Sequence, residues 1–224
     1  MPKTTYLDRN TARKIDSIAI SDYKIPGLIL MENAGISCIN YLLSLKLSGK
    51  IIICCGKGNN AGDGFVIARH LDNLNFDVKV LLLSNPTEFK GDAKTNYEIV
   101  RKSNIETVTL NNNLENIASE IQKADWIIDA IFGTGLYGEV LSPYNEIINL
   151  INSAKAKVFA VDIPSGLDCD TGEPLGVAII ANHTMTFIGY KKGFASDGAQ
   201  KYLGNITIGD IGLPKALKKK YNCS

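Results

Sequence analysis

The segment CGKGNNAGDGF, Cys55 to Phe65, sets four glycines and two asparagines around a single carboxylate, that of Asp63. A glycine-rich turn between an apolar run and an apolar-periodic segment offers backbone N–H groups to an anion such as a phosphate. It is not a Walker loop, because no Lys-Ser/Thr pair follows the last glycine. Gly56, Gly58 and Gly62 give a weak G-x-G-x-x-x-G spacing, and VKVLLL is followed by Ser84 and Asn85 rather than a ribose-binding acid. Ordinary dehydrogenase chemistry is disfavoured on that ground. Asp63 has two readings: a cap on the helix that follows, or an acceptor for ribose or other hydroxyls.

Three further polar turns follow apolar runs. GTGLYGE follows DWIIDAIF, with Asp129 near the run's end, and PSGLDCDTG follows AKVFAVDI, with Asp162 near its end. KKGF follows HTMTFIGY. Asn60, Asp129 and Ser165 place amide, carboxylate and hydroxyl oxygens on these turns. Too few carboxylates are present to satisfy a divalent ion, so such a set suits a monovalent cation. Asp129 reads equally well as a strand-end residue bonded to loop amides. Lys191 reads as a pyrophosphate contact or as a solvent-facing lysine. His70 reads as a helix-surface residue and His183 as structural.

The elements that must carry these turns alternate. Helical spacing covers residues 8–24, and Pro26 opens a second, very apolar helix in IPGLILMENAGISCINYLLSL. KIIICC reads as a strand buried on both faces, with Cys54 and Cys55 pointing oppositely. Then follow the helix GFVIARHLDNL, the strand VKVLLL, the helix EFKGDAKTNYEIVRKS, the strand IETVTL, the helix NLENIASEIQKA and the strand DWIIDAIF. SPYNEIINLINSA reads as a helix with Ser142 as cap and Pro143 at its first position. AKVFAVDI, HTMTFIGY and GNITIGDI complete the strands. Strands spaced by amphipathic helices predict an α/β fold with a mostly parallel, doubly wound sheet and right-handed crossovers. Ligands of such sheets bind beyond the carboxyl ends of the strands, where all four polar turns fall. The expected division of the single domain is N-terminal helices over 8–48, a core over 50–214, and a basic tail over 215–224 containing KALKKKY. The helices 8–48 would pack on the flank of the sheet or on a partner chain.

Composition narrows the classes. The 224 residues carry 24 Lys plus Arg against 23 Asp plus Glu, a net charge of +1 that leaves no footprint for nucleic acid. Hydrophobic residues at 45% suffice for a real core. No apolar run approaches a membrane span, and MPKTTYLDRNTARK lacks the apolar stretch of a secretory signal. Five scattered cysteines form no framework, which suits a reducing, cytoplasmic setting.

PGLILMENAG, GKGNNAGDGFVIARHL, DAIFGTGL, VDIPSGLDCDTG, HTMTFIGYKKGF and GDIGLP occur in order and together resemble the NAD(P)H-hydrate epimerases, the YjeF N-terminal domain family. The resemblance runs from about Ile18 to Pro214. It implies a Rossmann-like three-layer α/β/α sandwich, commonly dimeric, that interconverts the R and S forms of NADHX and NADPHX. That step serves an ATP- or ADP-dependent dehydratase specific for the S form. By position, the family's ligand loops fall on Asn59, Asn60, Ala61, Gly62 and Asp63 and on Gly133, Thr134, Gly135, Leu136, Tyr137, Gly138 and Glu139. Its acidic contact falls on Asp162, and its potassium ligands fall on Asn60, Asp129 and Ser165. Two departures from the family pattern are Ala61, often glycine, and Lys192, often proline. A methyl at Ala61 requires negative φ there. The chemistry implied at C6 asks for an acid/base, for which Asp162 is the candidate. The same fold also serves as a non-catalytic ligand-binding or scaffold module, and that is the alternative reading. No second domain follows Pro214 in this sequence, so the chain is expected to be a free-standing epimerase or an excised N-terminal domain.

Overall fold

The computed structural model describes residues 6–111 and 113–223. Its strands are β1 (Tyr6–Leu7), β2 (Lys50–Cys55), β3 (Asp77–Leu82), β4 (Glu106–Thr109), β5 (Trp126–Ala130), β6 (Lys157–Val161), β7 (His183–Phe187), β8 (Tyr190–Lys191) and β9 (Asn205–Gly209). Its helices are α1 (Arg9–Ser21), α2 (Gly27–Ser44), α3 (Asn59–Asn73), α4 (Gly91–Lys102), α5 (Leu114–Gln122), α6 (Tyr144–Ser153), α7 (Gln200–Leu203) and α8 (Lys215–Tyr221). Seven strands form one sheet in the order β4-β3-β2-β5-β6-β7-β9, and every pairing is parallel. The chain winds outward from β2 to β4, then returns to the far side of β2 and winds the other way. The strand order therefore reverses between β2 and β5, which is where an open α/β sheet opens a crevice.

The run KIIICC is continuously apolar because both its faces are covered. Ile51, Ile53 and Cys55 join a core layer shared with α1, α2, α3, α4 and α8, whereas Ile52 and Cys54 join the opposite layer, with α5 and α6. This is the three-layer sandwich that the resemblance implies, built on the doubly wound sheet that the alternation of elements predicts. Helix α2 buries Leu30, Ala34, Cys38, Ile39 and Leu42 in the first layer, so it belongs to the body of this chain.

Four details differ from the sequence reading. Helix α3 begins at Asn59, so NNAGDG is the helix's opening rather than part of a loop. Helix α6 begins at Tyr144 after a cis Ser142–Pro143 bond, and the Ser142 hydroxyl bonds Glu146 instead of capping the backbone. HTMTFIGY divides: β7 stops at Phe187, and β8 pairs with β1 in a separate two-stranded parallel sheet. KALKKKY is a docked helix, not a tail. Leu217 is fully buried and Lys218 pairs with Asp210, a pattern hidden by the density of lysines around one apolar anchor.

Candidate active site

The cavity of about 570 Å³ lies at the reversal point between β2 and β5. Its walls come from the first turn of α3, the turn after β5, the ends of β6 and β7, and one side of α1 and α2. The turn after β2 must pass very close to the turn after β5. The Gly56 N–H donates to Ala130 O at 3.2 Å, and a side chain at position 56 would collide with the Ile131 carbonyl. That close approach explains the first glycine of the motif.

Gly58 caps α3 with no side-chain bond, and Asn59 and Asn60 occupy the first turn. Gly58, Asn59 and Asn60 all border the cavity. Backbone N–H groups at the start of a helix have no partner within it, so this edge suits an anion. Asp63 is the fifth residue of α3, too far along to cap it, and its carboxyl faces the cavity instead. Burial, followed by the charges of Asp162 and Asp16, pushes the Asp63 carboxyl well above its ordinary value. Ala61 is helical and fully buried with negative φ, which accommodates its methyl.

Asp162 follows β6 with φ of +67°, and Ile188 follows β7 with φ of +71°. Each sits at the centre of a three-residue turn: Ile163 N–H donates to Val161 O and Gly189 N–H to Phe187 O, both at 2.8 Å. Such turns with positive φ are strained, and a β-branched residue there is a true outlier. Strain of this kind persists where surrounding packing enforces it, and it gathers at functional sites. Here two adjacent strand ends use it to turn Asp162 and Ile188 into the cavity.

Lys191 is 2% exposed, so its solvent-facing reading fails. Its Nζ lies 2.8 Å from Asp162 Oδ1 and donates to Phe187 O at 3.1 Å. The register that sets Leu7 of β1 opposite Lys191 of β8 ties the N-terminal strand to this ion pair. Helix α1 then runs along the cavity with Ala12, Asp16 and Ile20 on one stripe, as the i, i+4 spacing requires. Burial, and next the charge of Asp162, raises the Asp16 carboxyl to about 6, against the opposing pull of Lys191.

Of the residues expected to contact ligand, Asn59, Asn60, Asp63, Gly133, Thr134, Gly135, Leu136, Tyr137 and Asp162 border the cavity. Ala61 lies behind the wall and Gly62 packs against Met31. Gly138, at φ +75°, turns the chain away, and Glu139 lies against Gly176. Tyr137 is 63% exposed and stacks on the Arg9 guanidinium at 4.1 Å. Sequence reasoning missed Asp16 and the α1 wall. The available signal was a carboxylate at helical spacing from Ala12 and Ile20, on the border of an apolar stripe.

Asp129 and Ser165 form a buried knot beneath the cavity. Ser165 donates from its hydroxyl to Asp129 Oδ1 at 2.5 Å and from its N–H to Oδ2 at 2.7 Å. The Ser165 hydroxyl also accepts from Phe132 N–H at 2.8 Å, which links it to the turn after β5. Burial raises the Asp129 carboxyl to about 6, opposed by the hydrogen bonds from Ser165 and Ile131. One residue on, a Cβ at Gly133 would stand 3.5 Å from Asn60 and 3.4 Å from Asp162 Oδ2. Both polar atoms of the Asn60 side chain are buried with no hydrogen-bond partner. Among the described residues no cluster of three or more His, Cys, Asp or Glu could hold a metal. A buried amide oxygen without a partner is compatible with a weakly charged cation, and a carboxylate-rich divalent cage does not match this donor set.

His70 pairs with Glu32 at 2.7 Å on the outside of α3, and His183 packs between Tyr41 and Trp126, so neither enters the cavity.

The chain has recognisable relatives in sequence and in fold. The profile of the family described as "YjeF-related protein N-terminus" matches residues 27–193. A protein of Pirellula staleyi named NAD(P)H-hydrate epimerase is 42% identical over 212 residues, covering 94% of this chain and 93% of its own. A protein of Moorella thermoacetica named bifunctional NAD(P)H-hydrate repair enzyme Nnr is 40% identical over 91% of this chain, which spans 40% of that longer protein. The crystal structure of yeast ynu0 (YNL200c) superposes with a TM-score of 0.84 at 20% identity, covering 97% of this chain and 93% of the other, and so shares the fold. With the profile matched from the start of α2 through β8, this chain belongs to the YjeF-related N-terminal family.

Proposed function

We propose that this protein epimerises NADHX and NADPHX, interconverting the R and S forms of nicotinamide cofactors hydrated at C6, so that an S-specific dehydratase can restore the whole pool. Relatives named as epimerases, matched over nearly their full length, support the reaction. Bifunctional relatives support the link to a dehydratase. The observation that carries the reading is the Asp162–Lys191 ion pair in the same cavity as the open first turn of α3. One end suits a reacting ring and the other a diphosphate.

The reaction breaks and remakes the C6–O bond. A proton reaches the C6 hydroxyl, the bond cleaves, and the ring nitrogen's lone pair forms an iminium-like N1=C6 bond. Water then adds from the opposite face and gives up a proton. Asp162 handles that proton, and Lys191 fixes its carboxylate by a bond at 2.8 Å. The Asp162 carboxylate stabilises the cationic ring. Leu30, Met31, Ile131 and Phe187 exclude bulk water from it. Asp63 and the first turn of α3 serve binding, with the turn 133–137 as second ligand loop. Ala61, Gly62, Gly138 and Glu139 support these loops from behind. Asn60, with Ser165 and Asp129, would hold a potassium ion, whose charge would brace the turns after β2, β5 and β6.

We place the protein in the cytoplasm, as its free cysteines suit a reducing compartment, and no helix among the described residues is long and apolar enough to cross a membrane. A homodimer would cover the stripe of α2 formed by Ile29, Ile36 and Leu43, which is 49%, 37% and 41% exposed. The test is to mix R-NADHX with an S-specific dehydratase, with and without this protein, in potassium and then in sodium. Complete conversion only with the protein present supports the reading; conversion no greater than in the protein-free control sinks it. Asp162→Asn is expected to keep affinity within about tenfold and to abolish turnover, because general acid–base groups contribute roughly 10²–10⁴ in rate.

A further inference from the structure

Epimerisation treats two faces of one carbon, and a single fixed carboxylate can reach only one of them well. The cavity has two walls that carry carboxyl groups. Asp162 stands on the strand-end wall, ion-paired to Lys191 and within 3.5 Å of Thr186 Oγ1. Asp16 stands on the α1 wall, between Ala12 and Ile20. Among the described residues, no donor bonds the Asp16 carboxyl, although it is half-buried. A carboxyl turned into a cavity without a partner is available to a ligand.

Its helix is firmly held. Ile15 and Ala19 are fully buried, Arg9 pairs with Asp168 at 2.7 Å, and the Arg9 N–H donates to Asp170 at 2.8 Å. The preceding strand β1 pairs with β8, which carries Lys191. The β1–β8 pairing thus ties the helix that carries Asp16 to the strand that carries the partner of Asp162. The charged groups sharing the cavity with Asp16 are Asp162 and Lys191 from the strand ends, Asp63 and Lys57 from α3 and its approach, Asp92 from α4, and Arg13 on its own helix.

We infer that Asp16 is a second catalytic acid/base residue, exchanging a proton with the C6 oxygen on one face of the ring while Asp162 serves the other. The inference rests on the epimerase reading and deepens it. In one direction the Asp16 carboxylic acid protonates the C6 hydroxyl, the C6–O bond breaks, and water leaves with the electron pair. The N1 lone pair completes N1=C6. A water on the other face forms the new C6–O bond and loses its proton to Asp162. In the reverse direction the two residues exchange roles, and between turnovers the proton returns from one carboxylate to the other through cavity water. A raised Asp16 carboxyl in the same cavity as the ion-paired Asp162 suits an acid that protonates a leaving oxygen.

The experiment is steady-state kinetics of Asp16→Asn and Asp16→Glu in the dehydratase-coupled assay with R-NADHX, across pH 5 to 9, with melting temperatures measured alongside (assay range of about four units around the expected titration). The wild-type rate is expected to fall as pH rises through about 6. D16N is expected to lose roughly 100-fold or more in kcat with KM within about threefold, and to show no such fall. D16E should recover part of the rate and the pH dependence, which a packing role alone would not restore. A D16N enzyme within about threefold of wild type and with its pH profile intact overturns the inference. If D16N melts below the assay temperature, D16E decides, and a D16E profile without the fall overturns it equally. An inactive wild type would instead overturn the epimerase reading itself.

Discussion

Lys191 Nζ stands 2.8 Å from Asp162 Oδ1, and the lysine is only 2% exposed. The pair joins the end of β6 to the small sheet that holds the N-terminus. Removing one member of a buried pair leaves the other uncompensated, at about 3–5 kcal/mol. Lys191→Met is therefore expected to lower both melting temperature and kcat, the latter by about 100-fold if fixing the carboxylate matters to proton transfer. Unfolding scans and the coupled assay read both; an unchanged kcat would show that the lysine only packs.

The positive φ of Ile188 reverses a familiar order. Glycine in regular structure costs about 0.5–1 kcal/mol relative to alanine, but at φ of +71° alanine bears the strain. Both substitutions delete the same buried side chain, so their difference isolates the backbone. Ile188→Gly should be more stable than Ile188→Ala by about 1 kcal/mol in denaturant titration. The opposite order would mean that the turn relaxes when the side chain is lost.

Asn60 carries two buried, unpartnered polar atoms. If potassium satisfies the oxygen, equal concentrations of KCl and NaCl will give different melting temperatures, with a gap of at least about 2 °C for a chain this size. Asn60→Leu removes the orphaned atoms and should close that gap while leaving the sodium value equal or higher. Identical melting curves of the wild type in both salts would remove potassium from the site.

Far from the cavity, Glu120 bonds Lys79 at 2.7 Å and Lys123 at 2.9 Å. These hydrogen bonds, with Lys79 first, lower its carboxyl from 4.5 to about 2 despite burial. A depressed folded-state value adds stability that is present above the unfolded value and lost as pH falls. The contribution here, roughly 3 kcal/mol at most, should disappear between about pH 5 and 2. Glu120→Gln is expected to flatten that part of the stability–pH curve, measured by urea unfolding. A parallel curve for the variant would place the acid sensitivity elsewhere.

The order of strands and helices was legible because each strand is a short apolar run and each helix carries one apolar stripe. Even the opposed faces of Cys54 and Cys55 follow from a period of two. What failed locally was chemistry that depends on distant partners. NNAGDG reads as a loop because glycine and asparagine are poor helix formers, yet close contact with the turn after β5 and with α2 holds it helical. KALKKKY reads as a tail because one buried leucine among lysines leaves almost no pattern.

For the site, the strand ends near Asn60, Asp129, Asp162 and Ser165 could be read directly, since glycine, proline and short polar residues after a strand mark the ligand-binding edge of such a sheet. The sequence alone thus determined the sheet, the edge at which the cavity opens and several of the residues that border it. Only the tertiary structure decided that Lys191 turns inward onto Asp162 and that Asp16 joins them across the cavity. Their separations along the chain are too long for any periodicity to report. Burial and ion pairing arise only when the N-terminal strand docks beside β8 and closes that wall.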